Sequence, residues 1–68
     1  MSRIHAKYFS KTKVLMIRGH GWTLTAKVIS RNRLSNTLFN RGFQLCDSHW
    51  DNFSPGILAA DLVRRQQN

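Results

Sequence analysis

Hydrophobic and polar residues alternate near the start of the chain. Ile4, Ala6 and Tyr8 fall on one face of an extended segment, whereas His5 and Lys7 fall on the other face. A period of two is typical of a β-strand that buries one face and exposes the other. The pattern therefore predicts that the first strand lies in this segment.

Two further strands are predicted next, connected by a tight turn. The apolar run Val14–Ile17 is consistent with a strand buried on both faces. The glycines of Gly19-His20-Gly21 can adopt positive φ angles without steric cost, as tight hairpin turns require. Alternation resumes from Trp22 to Val28 in a segment with two threonines and a valine, which favours a third strand. Residues 13–29 are therefore predicted to form a β-hairpin.

The segment that follows the hairpin has no clear period. Ser35 is a possible N-cap of a short helix that would present Leu34 and Leu38 and end at Gly42. The three asparagines of this segment are poor helix formers and equally favour an irregular connection. The sequence leaves both descriptions of residues 30–42 open.

Another short strand and a loop are expected before the last part of the chain. Residues 43–46 alternate between apolar and polar positions, which indicates a short strand. Residues 47–53 are mostly polar and contain two large aromatic side chains, Trp50 and Phe53. We expect these aromatic side chains to anchor the loop to the core.

The C-terminal part of the chain is predicted to be helical. Ser54 followed by Pro55 resembles an N-cap with proline at the first helical position, where the missing N–H has no cost. The apolar side chains of this segment, Ile57, Leu58 and Leu62, fall near one side of a helix. We therefore expect one C-terminal helix over about residues 55–66.

These elements predict an α+β fold in a single small basic domain, residues 1–68. The hairpin 13–29 and its flanking strands would form a small antiparallel β-sheet, with the C-terminal helix packed on one face. The alternative is a small, partly open β-barrel in which residues 30–46 supply further strands. A chain of 68 residues buries a limited fraction of its surface, so its stability margin is thin.

Charge is distributed unevenly along the chain. The sequence has eleven Lys and Arg, three Asp and no Glu, with a formal net charge of +8. All three aspartates lie between residues 47 and 61, so the first 46 residues contain no carboxylate side chain. Ordinary protein surfaces mix both signs of charge. A long stretch with cations only is typical of a surface that contacts a polyanion, such as nucleic acid.

Seven cations and one aromatic residue are the predicted nucleic-acid-binding residues. Lysine and arginine supply sequence-independent contacts to phosphates, and an aromatic ring on the strand face opposite the core can stack on an unpaired base. Phe9 is the stacking residue, because Tyr8 shares a face with Ile4 and Ala6. The predicted phosphate-binding residues are Lys11, Lys13, Arg18, Lys27, Arg31, Arg33 and Arg41.

Other chemistries have weaker signals. His20, between two glycines and near Arg18, is a possible general acid or base of a small ribonuclease. Cys46 and His49 have the spacing of two zinc ligands, but a structural site needs four. We therefore predict no catalytic residue, no metal site and no cofactor, and keep the His20 ribonuclease as one alternative. A module that modulates an acidic partner enzyme is another.

The combined features predict a small nucleic-acid-binding accessory or regulatory protein that is not an enzyme. Neither DNA nor RNA is favoured, and a homodimer would offer so small a chain a larger core. No apolar run approaches the length of a membrane-spanning helix or of a secretory signal. A single cysteine fits a reducing compartment, so the cytoplasm is expected.

Overall fold

The computed structural model describes residues 3–65, which form an antiparallel β-sheet of six strands and one short α-helix. The α+β class predicted from the sequence is confirmed. The sheet order is β3-β2-β1-β6-β4, and β5 also pairs with β6. The strands are β1 (Ile4–Phe9), β2 (Val14–Gly19), β3 (Trp22–Lys27), β4 (Phe43–Leu45), β5 (Asp51–Ser54) and β6 (Ile57–Arg64).

One face of this sheet carries the core. The alternation predicted for β1 places Ala6 and Tyr8 on that face, where Leu15 and Ile17 of β2 join them, and all four are buried. The prediction that β2 is buried on both faces is wrong, because Val14 and Met16 on the other face are only half-buried. The Tyr8 hydroxyl donates a hydrogen bond of 2.8 Å to the backbone oxygen of Val28, so the one polar atom of this large side chain is satisfied inside the core.

The predicted hairpin of β2 and β3 is present, with Gly19 opposite Trp22 in the register. Gly21 has a φ of 78°, which explains the need for glycine in the turn. Gly19 has a different role, because a Cβ atom at this position would overlap the Trp22 ring. The Trp22 indole therefore lies over the Gly19 backbone, on the side of the core.

The ambiguous middle segment contains the helix. A 3-10 turn (Arg31–Arg33) leads into α1 (Leu34–Asn40), which buries Leu34 and Leu38 against the sheet. Ser35 lies inside α1 and is not its N-cap. Burial of the two leucines, one helical turn apart, outweighs the weak helix propensity of the asparagines. No helix within residues 3–65 has the length and apolar character needed to cross a membrane.

The predicted C-terminal helix is wrong, because the segment after Ser54 forms β6. Pro55 and Gly56 are the central residues of a hairpin turn between β5 and β6. Gly56 has a φ of 78°, the conformation that a proline–glycine turn of type II requires at its second central position. Proline therefore fixes a turn here and does not begin a helix.

The alternation within β6 also explains why this segment is a strand and not a helix. Leu58, Ala60 and Leu62 share one face and are buried, so a period of two holds through the small alanine. Pairing with other strands also stabilises the strand conformation, because β6 forms hydrogen-bonded ladders with β1, β4 and β5. A sequence pattern contains no information on these long-range partners.

The sheet coils strongly without closing into a barrel. A flat path of five strands would separate its outer strands by about 19 Å, since neighbouring strands are about 4.8 Å apart. The outer strands β3 and β4 nevertheless bring Trp22 and Phe43 together, with ring centroids 6.0 Å apart. The Arg64 guanidinium lies over both rings. Side chains thus bridge a gap that backbone hydrogen bonds do not close.

Candidate nucleic-acid interface

The sheet face opposite the core is not covered by α1, and we call it the open face. It results from the same alternation that builds the core, because residues adjacent to buried positions point the other way. Register places Arg18 of β2 and Asp61 of β6 on either side of His5 of β1. The charged and aromatic residues that the strand register places on the open face are His5, Lys7, Phe9, Arg18, Lys27, Asp51 and Asp61.

A groove of about 540 Å³ lies on the open face. The sheet supplies its floor, and the segment from Asp47 to Phe53 supplies one wall, because β5 pairs with β6 and brings this segment over the sheet. Phe53 is 61% exposed, and the Lys7 ammonium lies 4.3 Å from the centre of its ring. The groove thus combines exposed aromatic surface with the cations Lys7 and Arg18, the two features that single-stranded nucleic acids contact, and all three aspartates also line it.

His5 is held by Asp61 inside this groove. Its Nδ1 atom lies 2.7 Å from the Asp61 Oδ1 atom. A carboxylate only accepts hydrogen bonds, so Nδ1 carries the proton in this contact. The neutral ring then has its lone pair on Nε2, for which the structure shows no partner among residues 3–65. This geometry gives the His5 ring a defined orientation and a free basic nitrogen.

His49 lies on the wall formed by the segment from Asp47 to Phe53, and both of its ring nitrogens are hydrogen-bonded. Nδ1 donates to the Asp47 backbone oxygen at 3.0 Å, and Nε2 lies 3.2 Å from the Asp51 Oδ1 atom. The hydrogen bond to Asp47 raises the pKa of His49 above its ordinary value, and the negative charge of Asp51 raises it further. The protonated ring satisfies both acceptors at once.

The raised pKa of His49 predicts a pH dependence for the 47–51 segment. The protonated form contributes stability fully below the unfolded value of 6.5, and the contribution is lost as pH rises through the higher folded value. An NMR titration of the His49 ring should give a pKa above that of the urea-unfolded chain. Asp51→Asn should lower this pKa. Equal values in the folded and unfolded chains would contradict the contacts described here.

In the part of the chain that the structure describes, the lysines and arginines are not paired with carboxylates. Within residues 3–65, the only side chains paired with carboxylates are two histidines, His5 with Asp61 and His49 with Asp51. All eleven Lys and Arg lie in this part of the chain, and none of them forms such a pair. Pairing between histidine and aspartate therefore leaves the strong cations free to attract an external anion.

The predicted phosphate-binding residues fall into separate groups. Lys11 and Lys13 lie in the turn between β1 and β2, close to Lys27, whose Nζ atom is 3.3 Å from the Thr12 backbone oxygen. Arg31 and Arg33 follow in the adjacent 3-10 turn. The other two lie at the opposite end of the strands: Arg18 on the open face and Arg41 just beyond α1.

Phe9 lies on the open face, half-buried, and lines the groove. The sequence analysis did not predict Lys7, His5 or Asp61 as site residues. The alternation along β1 places His5 and Lys7 on the face opposite the core, and this pattern could have identified both as exposed candidates. Asp61 had no such signal, because only the pairing of β6 with β1 brings it to His5.

Within residues 3–65, the structure places neither His20 in a catalytic arrangement nor Cys46 in a metal-binding one. His20 is exposed in the turn between β2 and β3, and no side-chain hydrogen bond holds its ring within the described residues. Cys46 is a free, exposed thiol. Within residues 3–65, no three His, Cys, Asp or Glu side chains are grouped so that they could hold a metal ion.

The chain was compared with protein-family models, with curated proteins and with solved structures. None of these comparisons finds a match. The geometry and the electrostatics of the open face are therefore the basis for a functional assignment.

Proposed function

We propose that this protein binds nucleic acid, with a single strand lying in the groove of the open face. The observation that supports this proposal is the complete lack of carboxylate partners for Lys and Arg within residues 3–65. Free surface cations bind phosphates by releasing condensed counterions, a driving force that needs no sequence recognition.

Lys7 and Arg18 are the phosphate-binding residues closest to the groove. Both line it, and Arg18 lies directly across from His5 in the β1–β2 register. Phe53 and Phe9 offer ring faces on which unpaired bases can stack. Lys11, Lys13 and Lys27, at one end of the strands, extend the cationic surface beyond the groove.

A salt titration tests the proposal. Binding of a labelled single-stranded oligonucleotide is measured by fluorescence anisotropy, using protein freed of co-purified nucleic acid. We expect binding at low salt and a linear fall of log affinity with log salt concentration, with a slope of about −0.7 per phosphate contact. No binding to single-stranded or duplex DNA or RNA at low salt would refute the proposal.

Charge-neutralising variants locate the interface. Lys7→Gln and Arg18→Gln should each weaken binding and reduce the magnitude of the salt slope by about 0.7, as expected for the loss of one phosphate contact to a single strand. Arg65→Gln is the matched control, because it removes the same charge where the guanidinium stacks on Phe39 of α1, away from the open face. Equal losses in all three variants would show that net charge alone, and not the groove, determines binding.

The salt titration of oligonucleotide binding also bears on the cellular location and on the acidic-partner alternative. A nucleic-acid ligand and a reduced Cys46 fit the cytoplasm, and we propose that location. A protein that does not bind nucleic acid at low salt, but binds one defined acidic protein, would support the alternative of an interaction module.

A further inference from the structure

We infer that the groove of the open face cleaves RNA, with His5 as the general base and His49 as the proton donor. This inference rests on the proposed function, because the strand must first bind in the groove. It departs from the sequence-based expectation of a protein that is not an enzyme, and it moves the ribonuclease alternative from His20 to a different histidine.

His5 has the arrangement of an activated base. Asp61 accepts the Nδ1 proton at 2.7 Å and so fixes both the tautomer and the ring orientation. The free Nε2 lone pair is the acceptor that a ribose 2′-hydroxyl needs. Both side chains are about half exposed, which leaves the nitrogen accessible to a bound strand.

Two cations lie beside this base. Arg18 of β2 is its direct neighbour across the ladder, and Lys7 follows two residues along the same face of β1. The guanidinium presents planar donors that match phosphate oxygens. In a transition state with five oxygens around phosphorus, additional negative charge develops on those oxygens, so Arg18 stabilises that state more than the bound strand.

His49 is the proton donor of the proposed site. It lines the same groove as His5, from the wall formed by the 47–53 segment. Asp47 and Asp51 favour its protonated ring. The charged groups that face this pair of histidines are Asp61 from β6, Arg18 from β2, Lys7 from β1, and Asp47 and Asp51 from the wall.

The reaction is an internal transfer that needs no further reactant. His5 Nε2 removes the proton of the 2′-hydroxyl while the 2′-oxygen forms a bond to phosphorus. The bond between phosphorus and the 5′-oxygen breaks, and the leaving oxygen receives the Nε2 proton of His49, which exchanges its exposed 3.2 Å contact with Asp51 for the leaving oxygen. The products are a 2′,3′-cyclic phosphate and a 5′-hydroxyl end. Proton exchange with water restores both histidines.

The test uses the full chain and three labelled strands: RNA, DNA of the same sequence, and 2′-O-methyl RNA. We expect cleavage of the RNA only, with a cyclic phosphate at the new 3′ end and a bell-shaped dependence of rate on pH. His5→Ala should reduce the rate about 10²–10⁴-fold, the usual contribution of a general base. Added imidazole should restore part of the lost rate, which a purely structural role of His5 would not allow.

Two further variants and the binding measurements complete the test. Asp61→Asn should reduce the rate with an unchanged circular dichroism spectrum, whereas His20→Ala should leave cleavage intact. Loss of cleavage in His20→Ala but not in His5→Ala would overturn the assignment. Binding of 2′-O-methyl RNA without cleavage of RNA would overturn the ribonuclease and leave the proposed binding function standing. Absence of any binding would overturn both.

Discussion

The Ala60→Asp variant is expected to lose about 3–5 kcal/mol of its free energy of unfolding at 25 °C. Ala60 is 8% exposed on the core face of β6 and is paired with the fully buried Ala6 of β1. A carboxylate at this position would have no partner, and an uncompensated buried charge costs about 3–5 kcal/mol. A domain of this size has a total stability of roughly 3–10 kcal/mol, so a third or more of that stability would be lost. Urea unfolding followed by circular dichroism measures the effect.

The neighbouring alanine is the matched control for this prediction. Ala59 lies on the open face between Lys7 of β1 and Asp51 of β5, where an additional carboxylate meets water and one charge of each sign. Ala59→Asp should therefore change the free energy of unfolding by about 0.5 kcal/mol or less, as is usual at surface positions. In a C-terminal helix, both alanines would lie outside the apolar side. Equal tolerance of the two substitutions would contradict the assignment of β6 as a strand.

Leu38→Ala should reduce the free energy of unfolding by about 3–5 kcal/mol. Leu38 is completely buried where α1 packs on the sheet, and Leu34 lies one helical turn earlier on the same side. Removal of a buried leucine loses the transfer free energy of its methyl groups and leaves a cavity that the core cannot fully close. Thermal or urea unfolding measures the loss.

Phe39→Ala, one residue along α1, provides the comparison. Phe39 is 50% exposed, and its ring stacks with the Arg65 guanidinium at 4.0 Å. Such an exposed cation–π contact is worth about 0.5–1 kcal/mol, so the larger side chain should have the smaller effect. Similar losses at positions 38 and 39 would show that this segment is not a helix with one buried side.

The stability of the fold and the chemistry of the groove depend on the same strand. β6 contributes Leu58, Ala60 and Leu62 to the core, and the residue between the last two, Asp61, points to the open face and holds His5. A helix in this segment would not place Asp61 opposite His5 in a ladder. The strand conformation of this segment therefore also brings together the candidate catalytic pair, His5 and Asp61.

Local patterns were sufficient for the first half of the fold. Alternation along β1 and β3, with a glycine turn between β2 and β3, identified a hairpin and the face on which Tyr8 lies, because these features depend only on neighbours in the chain. The surplus of cations was also evident from composition alone. Residues near one another in sequence therefore revealed the first strands, the core face and the sign of the surface charge.

Distant pairing was decided only when the chain folded. Ser54-Pro55-Gly56 is compatible with a helix start and with a hairpin turn, and only the ladders of β6 with three other strands select the turn. The contacts of His5 with Asp61, and of Trp22 with Phe43, join residues far apart in the chain. Local propensities do not describe contacts between distant residues. Only the tertiary structure therefore forms the groove and brings its two histidines together.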